Sequence, residues 1–468
     1  MKKVAIFGAC SPIGFGDALQ YYNLLNSLSN KLSDTNLIFL CPDLKKQLII
    51  FRGLKMKHFW MNINYNPLYM ILQYKNMYIK KEDVKFYFHV NESDTHAHIY
   101  NEKTKKSYID MLLKVLRLKL DTFMNDEFAE SILSFTSLTT YKLIPGFNFD
   151  AGFVGGHTLA GGGLTGYTQF YRSIGLMVKG PIILAPISMS LIGVKHDIGL
   201  FKFLKRSVKK FNRIYVRGPY TFKLIKMFFN IDENRISMCL DSGFWHLLDP
   251  TLSQLVRNSH VKKERVRILL FPRMDYFYAY NKNILYKYYL HCLKDLILRL
   301  SKKYDCEFII ASYTVDNSSF SASKAVEDLI DALKNNIEKL DLMDLVYVEK
   351  PRTLIDNLRL CSSADIVLTS FMHAGIVALS AGTPTVFILP RLDIKVLDVI
   401  RYLNLSVNKF FIDMFDPVSL RSDNVLNLLE NIIKNLEYYK SVVTRAINKA
   451  LPDAQYFIDD AVKLVMEY

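Results

Sequence analysis

Short apolar runs recur along the chain, each bounded by glycine, proline or a polar turn, and apolar residues at helical spacing fill the stretches between them. Lys3–Gly8 and Asn36–Cys41 read as buried strands. Between them, Asp17 opens a helix whose apolar face runs through Leu19, Tyr22, Leu25 and Leu28. From about 45 to 145 the pattern weakens into Tyr- and Asn-rich sequence, with strand alternation at 84–90 and a basic amphipathic helix at 108–120, and we read it as an elaboration of the first domain.

Regular alternation returns at Phe149. A strand ends at Phe153-Val154 directly before Gly155-Gly156, and strands at 181–187, 213–217 and 236–240 follow, with helices at 198–211 and 218–229. The polar segment 259–265 reads as a linker. Beyond it come strands at Val266–Phe271, 307–312, 345–348, Ile366–Thr369 and Thr385–Leu389, and then a helical C-terminus. Strands of continuous apolar character alternating with helices imply parallel sheets covered on both faces. The expected fold is α/β: two Rossmann-like, doubly wound domains, 1–258 and 266–468, facing one another across a cleft. Ligands of such sheets bind beyond the carboxyl ends of the strands.

Composition adds a charge of +15, which favours an anionic partner: a phosphorylated substrate, an acidic lipid surface or a nucleic acid. No helix-turn-helix, zinc module or aromatic RNA-binding sheet is visible, so nucleic acid is not expected. The six cysteines are scattered and several lie in apolar runs, as reduced thiols in a cytoplasmic protein do. Residues 1–10 mimic an export signal, but the apolar stretch is too short and runs into a Pro12–Gly14–Gly16 loop. The apolar stretch 173–194 is broken by Lys179, Gly180, Pro181 and Pro186, so no membrane span is expected. Segment 195–226 carries ten Lys/Arg and one acid; it reads as a solvated helix face, with contact to anionic lipid as the second reading.

Candidate chemistry gathers at strand ends. The loop from Gly8 through Gly14 and Gly16 to Asp17 offers backbone N–H groups to an anion, or is a tight turn with Asp17 as helix cap. Gly155, Gly156 and the glycines 161–163 favour a cleft lining where a ligand approaches the backbone; a close helix–strand crossing is the structural alternative. Arg217 closes a strand before Gly218-Pro219 and is suited to bidentate capture of carboxylate or phosphate, or else caps the sheet. Ser370 and His373 stand where an apolar strand meets a small-residue helix, with Arg391 and Lys395 beyond the next strand. Asp94, His96 and His98 alternate as one face of an exposed strand, and no metal site is expected there.

In order, these segments resemble the polysaccharide pyruvyl transferase family. The parallels are the glycine loop ending at Asp17, Asp150 with Gly155-Gly156, Pro186 to Ser188, Val216-Arg217, Asp241 to Phe244, Ser370 with His373, Gly382-Thr383-Pro384, and Lys395. The resemblance implies a glycosyltransferase-B-like fold and transfer of the enolpyruvyl unit of phosphoenolpyruvate to a sugar hydroxyl, with phosphate released and no cofactor beyond the donor. It implies Arg217 as clamp and His373 as acid or phosphate contact. Asp17, Gly155, Gly156, Ser188, Asp241, Ser370, Arg391 and Lys395 would contact substrate. The acceptor would be a saccharide, lipid-linked in one version, met at the inner face of the membrane. Studied members carry an arginine two residues before the motif histidine; here that position is Phe371. A nucleotide-sugar glycosyltransferase, with Asp316 or Glu349 reading the nucleotide, and a non-catalytic assembly protein are the competing readings.

Overall fold

A computed structural model of the chain describes residues 2–8, 15–41, 59–62, 78–79, 148–155, 171, 174–175, 177–189, 204–258, 264–313, 320–339, 345–351 and 353–468. The first sheet contains β1 (Lys3–Gly8), β2 (Asn36–Cys41), β3 (Phe59–Asn62), β4 (Tyr78–Ile79), β5 (Ala151–Gly155), β6 (Ile182–Ile187), β7 (Arg213–Val216) and β8 (Ile236–Met238). Their order is β4-β3-β2-β1-β5-β6-β7-β8, parallel throughout except for the β3–β4 pair. The second sheet contains β9 (Val266–Phe271), β10 (Cys306–Ala311), β11 (Val346–Glu349), β12 (Ile366–Thr369), β13 (Thr385–Leu389) and β14 (Phe411–Asp413). It is parallel, in the order β11-β10-β9-β12-β13-β14.

Both sheets are doubly wound, as the alternation predicts. Their central strands are buried end to end, β5, β6, β12 and β13 at every residue, because helices cover both faces. Each sheet has one place where the winding direction reverses, between β1 and β5 in the first and between β9 and β12 in the second. Crevices form at such reversals because the connections leave in opposite directions.

The described helices are α1 (Phe15–Lys31), α2 (Pro219–Phe229), α3 (Pro250–Asn258), α4 (Asp275–Ala279), α5 (Asn283–Lys303), α6 (Phe320–Lys339), α7 (Leu354–Ser363), α8 (Met372–Ser380), α9 (Ile394–Tyr402), α10 (Val407–Phe410), α11 (Ser422–Lys434) and α12 (Leu436–Glu467). Leu19, Tyr22, Leu25 and Leu28 of α1 are buried, the face its spacing predicts. In the predicted 198–211 helix, helical backbone is described over 204–208, with Leu204, Val208 and Phe211 fully buried. The strand and helix expected at 84–90 and 108–120, and Asp94, His96 and His98, lie outside the described residues. Two short strands from the irregular region, β3 and β4, lengthen the first sheet, which the sequence pattern does not show.

The lobes meet through a shared seam. Gln20 and Asn23 of α1 donate to Asp241 Oδ1 (2.7 Å) and the Ser242 carbonyl (2.7 Å) at a 3₁₀ turn, Ser242–Leu248. His246 of that turn bonds Ser380 of α8 through Nε2 at 2.9 Å. Helix α12 runs back from the second sheet to the first: Phe457 packs against Tyr215 and Trp245, and Lys2 Nζ donates to the carbonyls of Val465 and Met466. One apolar core therefore spans residues from both lobes.

Candidate active site

Three strands of the second sheet deliver polar side chains to their carboxyl ends. Arg273 stands two residues beyond β9. Ser370 and Phe371 follow β12, and His373 occupies the first turn of α8. Asp393 and Lys395 follow β13 at the start of α9. Arg273 and His373 thus flank the β9/β12 reversal. Helix α8 sits close on the sheet because residue 375 is glycine: a Cβ there would overlap the Phe387 ring of β13. That contact sets where the first turn of α8, and so His373, comes to rest.

Across the seam, Arg217 leaves β7 and is only 1% exposed. Its Nε lies 2.7 Å from Asp241 Oδ2 and donates to the Pro186 carbonyl (3.0 Å), while Nη2 donates to Gln20 Oε1 (3.2 Å). Strands β7 and β8 are neighbours, so the residues just past their ends face one another. Arg217 is therefore a buried cation held by its own carboxylate, at a strand end where the sequence pattern leaves a clamp and a sheet cap open. Asp241 likewise spends its carboxylate inside the protein, on Arg217, Gln20 and the Gly243 amide.

The charge of Arg217 nonetheless reaches His373. The imidazole is held well below its usual pKa, first by burial and then by the positive charges of Arg217, Lys395 and Arg273. The positive end of α8 acts in the same direction. Each of these cations carries a carboxylate partner: Arg217 has Asp241, Arg273 has Asp275, and Lys395 has Asp393 at 3.6 Å. Asp393 is buried and also accepts from Tyr276 Oη at 2.7 Å. His373 is thus held toward its neutral form by three cations drawn from both lobes, each with its own carboxylate partner.

The other predicted residues divide. Lys395 is one of those three cations. Ser370 is fully buried and its hydroxyl pairs with Tyr289 Oη at 2.9 Å. Ser188 is fully buried, and its Oγ has no hydrogen-bonding partner among the described residues. Gly155 answers a packing need, the helix–strand crossing: a Cβ there would lie 2.8 Å from Leu24 Cδ2 of α1 and 3.3 Å from Ala185 Cβ. Arg391 is exposed on the rim beside Asp413 and Asp416, and it is not among the charges acting on His373. Asp17 lies in the first turn of α1, and Gly156 falls outside the described residues.

Arg273, Asp275, Tyr276, Asp393 and Gln20 were not singled out by sequence reasoning. A signal for Arg273 was present. Phe271-Pro272-Arg273 repeats the pattern that marked Arg217, an apolar strand closing on an arginine, and it lies next to the strand carrying His373. Gln20 gave none, because a glutamine on a helix becomes informative only when its partner 197 residues away is known.

No curated protein matches the sequence. Three solved structures share the fold over the whole of this chain. A UDP-GlcNAc 2-epimerase from Neisseria meningitidis bound to UDP-GlcNAc has 11% identity, a TM-score of 0.52 and 100% of its own chain covered. A glycosyltransferase from Rickettsia africae has 10% identity, a TM-score of 0.53 and 98% covered. Sucrose-phosphate synthase from Thermosynechococcus elongatus has 9% identity, a TM-score of 0.53 and 99% covered. At such identities the likeness establishes the two-lobed, glycosyltransferase-B-like fold. The family profile described as polysaccharide pyruvyl transferase matches residues 15–390, a span that takes in both lobes, the Arg217–Asp241 pair and the His373 helix, and the chain belongs to that family.

Proposed function

We propose that the protein transfers the pyruvyl unit of phosphoenolpyruvate to a hydroxyl of a saccharide acceptor and releases phosphate. The observation that carries this reading is the imidazole of His373 among Arg217, Arg273 and Lys395 at the facing strand ends. A donor bearing phosphate and carboxylate would offset those charges. The imidazole would then gain basicity and take up the proton that it next gives to the enol methylene. The neighbouring carbon becomes oxocarbenium-like, a sugar hydroxyl attacks it, and the proton of that hydroxyl returns to the imidazole. A second hydroxyl displaces phosphate, which carries away that hydroxyl's proton, and closes the ketal. A positioned acid of this kind contributes roughly 10²–10⁴ in rate, and fixed cations add charge stabilisation without reorganisation. Only the donor is needed; the chemistry asks for no further cofactor.

The same reading takes the acceptor to be a polysaccharide or its lipid-linked precursor and the protein to work in the cytoplasm, with a peripheral contact at the inner face of the membrane in the lipid-linked case. Support comes from α2, whose outer surface exposes Tyr220, Met227 and Phe228 beside Lys223 and Lys226. An apolar ridge set among lysines suits an anionic bilayer. No helix among the described residues is long and apolar enough to cross a membrane.

The test is to incubate the purified protein with phosphoenolpyruvate, and separately with nucleotide sugars, in the presence of the cell's glycan precursors. Phosphate release together with a glycan mass gain of pyruvate less water is expected with the first, and loss of both in His373→Ala. Turnover of a nucleotide sugar instead would replace this reading with glycosyl transfer. No phosphate release by wild type, with a glycan unchanged in His373→Ala, would favour the non-catalytic assembly protein.

A further inference from the structure

Arg273 is held on three sides. Its guanidinium carbon lies 4.3 Å from the centroid of the Tyr276 ring and 4.8 Å from that of Phe371. Asp275 takes its Nε and Nη2. Phe371 is itself fixed: Thr369 Oγ1 bonds both its amide and its carbonyl, and its ring packs on Tyr313 with centroids 5.4 Å apart. The remaining edge of the guanidinium, bearing Nη1, makes no hydrogen bond among the described residues, and the side chain keeps 23% of its surface exposed. That edge belongs to a group close enough to His373 to act on its charge.

A planar fork presented in one orientation matches the paired oxygens of phosphate or carboxylate, and its immobility means little entropy is lost when the anion arrives. Asp275 leaves the pair neutral overall, so selectivity rests on the shape of the donor array more than on net charge. The aromatic at 371 serves that array. A cation at this position would repel Arg273, whereas a ring face attracts it and sets its plane.

We infer that Arg273 contacts the anionic group of the substrate directly and bidentately, with Phe371 as the platform that aims it. The inference rests on the proposed function only for the identity of the anion. A phosphate monoester, a carboxylate and a nucleoside diphosphate all present the same paired oxygens.

Titration calorimetry on the full-length protein with inorganic phosphate, phosphoenolpyruvate and UDP separates these sources. The wild type is expected to bind phosphate and phosphoenolpyruvate. Arg273→Gln should weaken both about 10- to 100-fold, the scale of a lost charged hydrogen-bonding pair. Arg273→Lys should fare little better because an ammonium lacks the fork, and Phe371→Leu should weaken both several-fold. Should Arg273→Gln not fold, the lysine and leucine variants decide. Binding within twofold of wild type in the arginine variants overturns the assignment, and unchanged binding in Phe371→Leu overturns the platform. If the wild type binds UDP and not phosphoenolpyruvate, and Arg273→Gln weakens that binding, the assignment of Arg273 stands while the pyruvyl reading falls. Binding of none of the three overturns both.

Discussion

Asp398 of α9 caps helix α2 across the lobe boundary, accepting from Thr221 Oγ1 at 2.5 Å and from the amides of Tyr220 at 2.7 Å and Thr221 at 3.2 Å. Helix α2 has no side-chain cap of its own, since residue 218 is glycine, and a Cβ there would lie 2.6 Å from the Asp398 carbonyl oxygen. The second lobe therefore supplies the anion that the first turn of α2 needs. Asp398→Ala should cost about 2–3 kcal/mol, the scale of hydrogen bonds to a buried charged group, and urea unfolding would measure it. Burial raises the Asp398 carboxyl to about 6 from 3.8, against the opposing pull of its Thr221 and Tyr220 donors and of Arg217. The folded state holds this proton more tightly than the unfolded chain does, so the contribution of Asp398 to stability is greatest below 3.8 and declines as pH rises to about 6. Thermal unfolding across that window should fall more steeply for wild type than for Asp398→Asn.

The imidazole of His373 should change its protonation when an anion binds. Burial and three cations keep it neutral in the free protein near pH 7, and a bound anion offsets the cations. Phosphoenolpyruvate titrations in buffers of different ionisation enthalpy should show net proton uptake by wild type, and little or none by His373→Gln. Equal uptake in the two proteins would remove the histidine from that role.

Arg217 and Asp241 should behave as one unit. Both side chains are 1% exposed, so Arg217→Met strands a buried carboxylate. Breaking such a pair costs about 3–5 kcal/mol. The double variant Arg217→Met, Asp241→Asn should recover much of that stability in urea unfolding without restoring activity, because the charge facing His373 is still missing. Additive losses would mean that the two side chains are not coupled.

The outer face of α2 should carry membrane affinity. Vesicles containing anionic phospholipid should float the wild type, and neutral vesicles should not. Met227 is 65% exposed and Phe228 39%, so replacing both by serine tests the apolar contribution. Lys223→Glu with Lys226→Glu tests the charge. Flotation that survives both changes would move the contact elsewhere.

Much of the fold was legible because a buried parallel strand is a local signal. Lys3–Gly8, Asn36–Cys41, Val266–Phe271, Ile366–Thr369 and Thr385–Leu389 are short, mostly apolar segments, and the structure begins and ends these strands at the residues the sequence predicts. β14, three residues at the sheet edge, and β3, flanked by polar sequence, carry too little of that signal to be seen. At the site, His373 was legible from its place between strand and helix. The partners of Arg217 were not legible, since nothing near it in sequence announces Asp241 or Gln20.

Strand periodicity and the placement of the candidate side chains just beyond strands were determined by the sequence alone, because each depends on residues a few positions apart. Which cation is buried, which is stacked and which carboxylate backs it was decided by tertiary structure. Desolvation and Coulomb attraction depend on distances set when two sheets and their covering helices pack. Arg217 and Arg273 end their strands alike in sequence, yet one closes on a buried aspartate and the other on two aromatic rings.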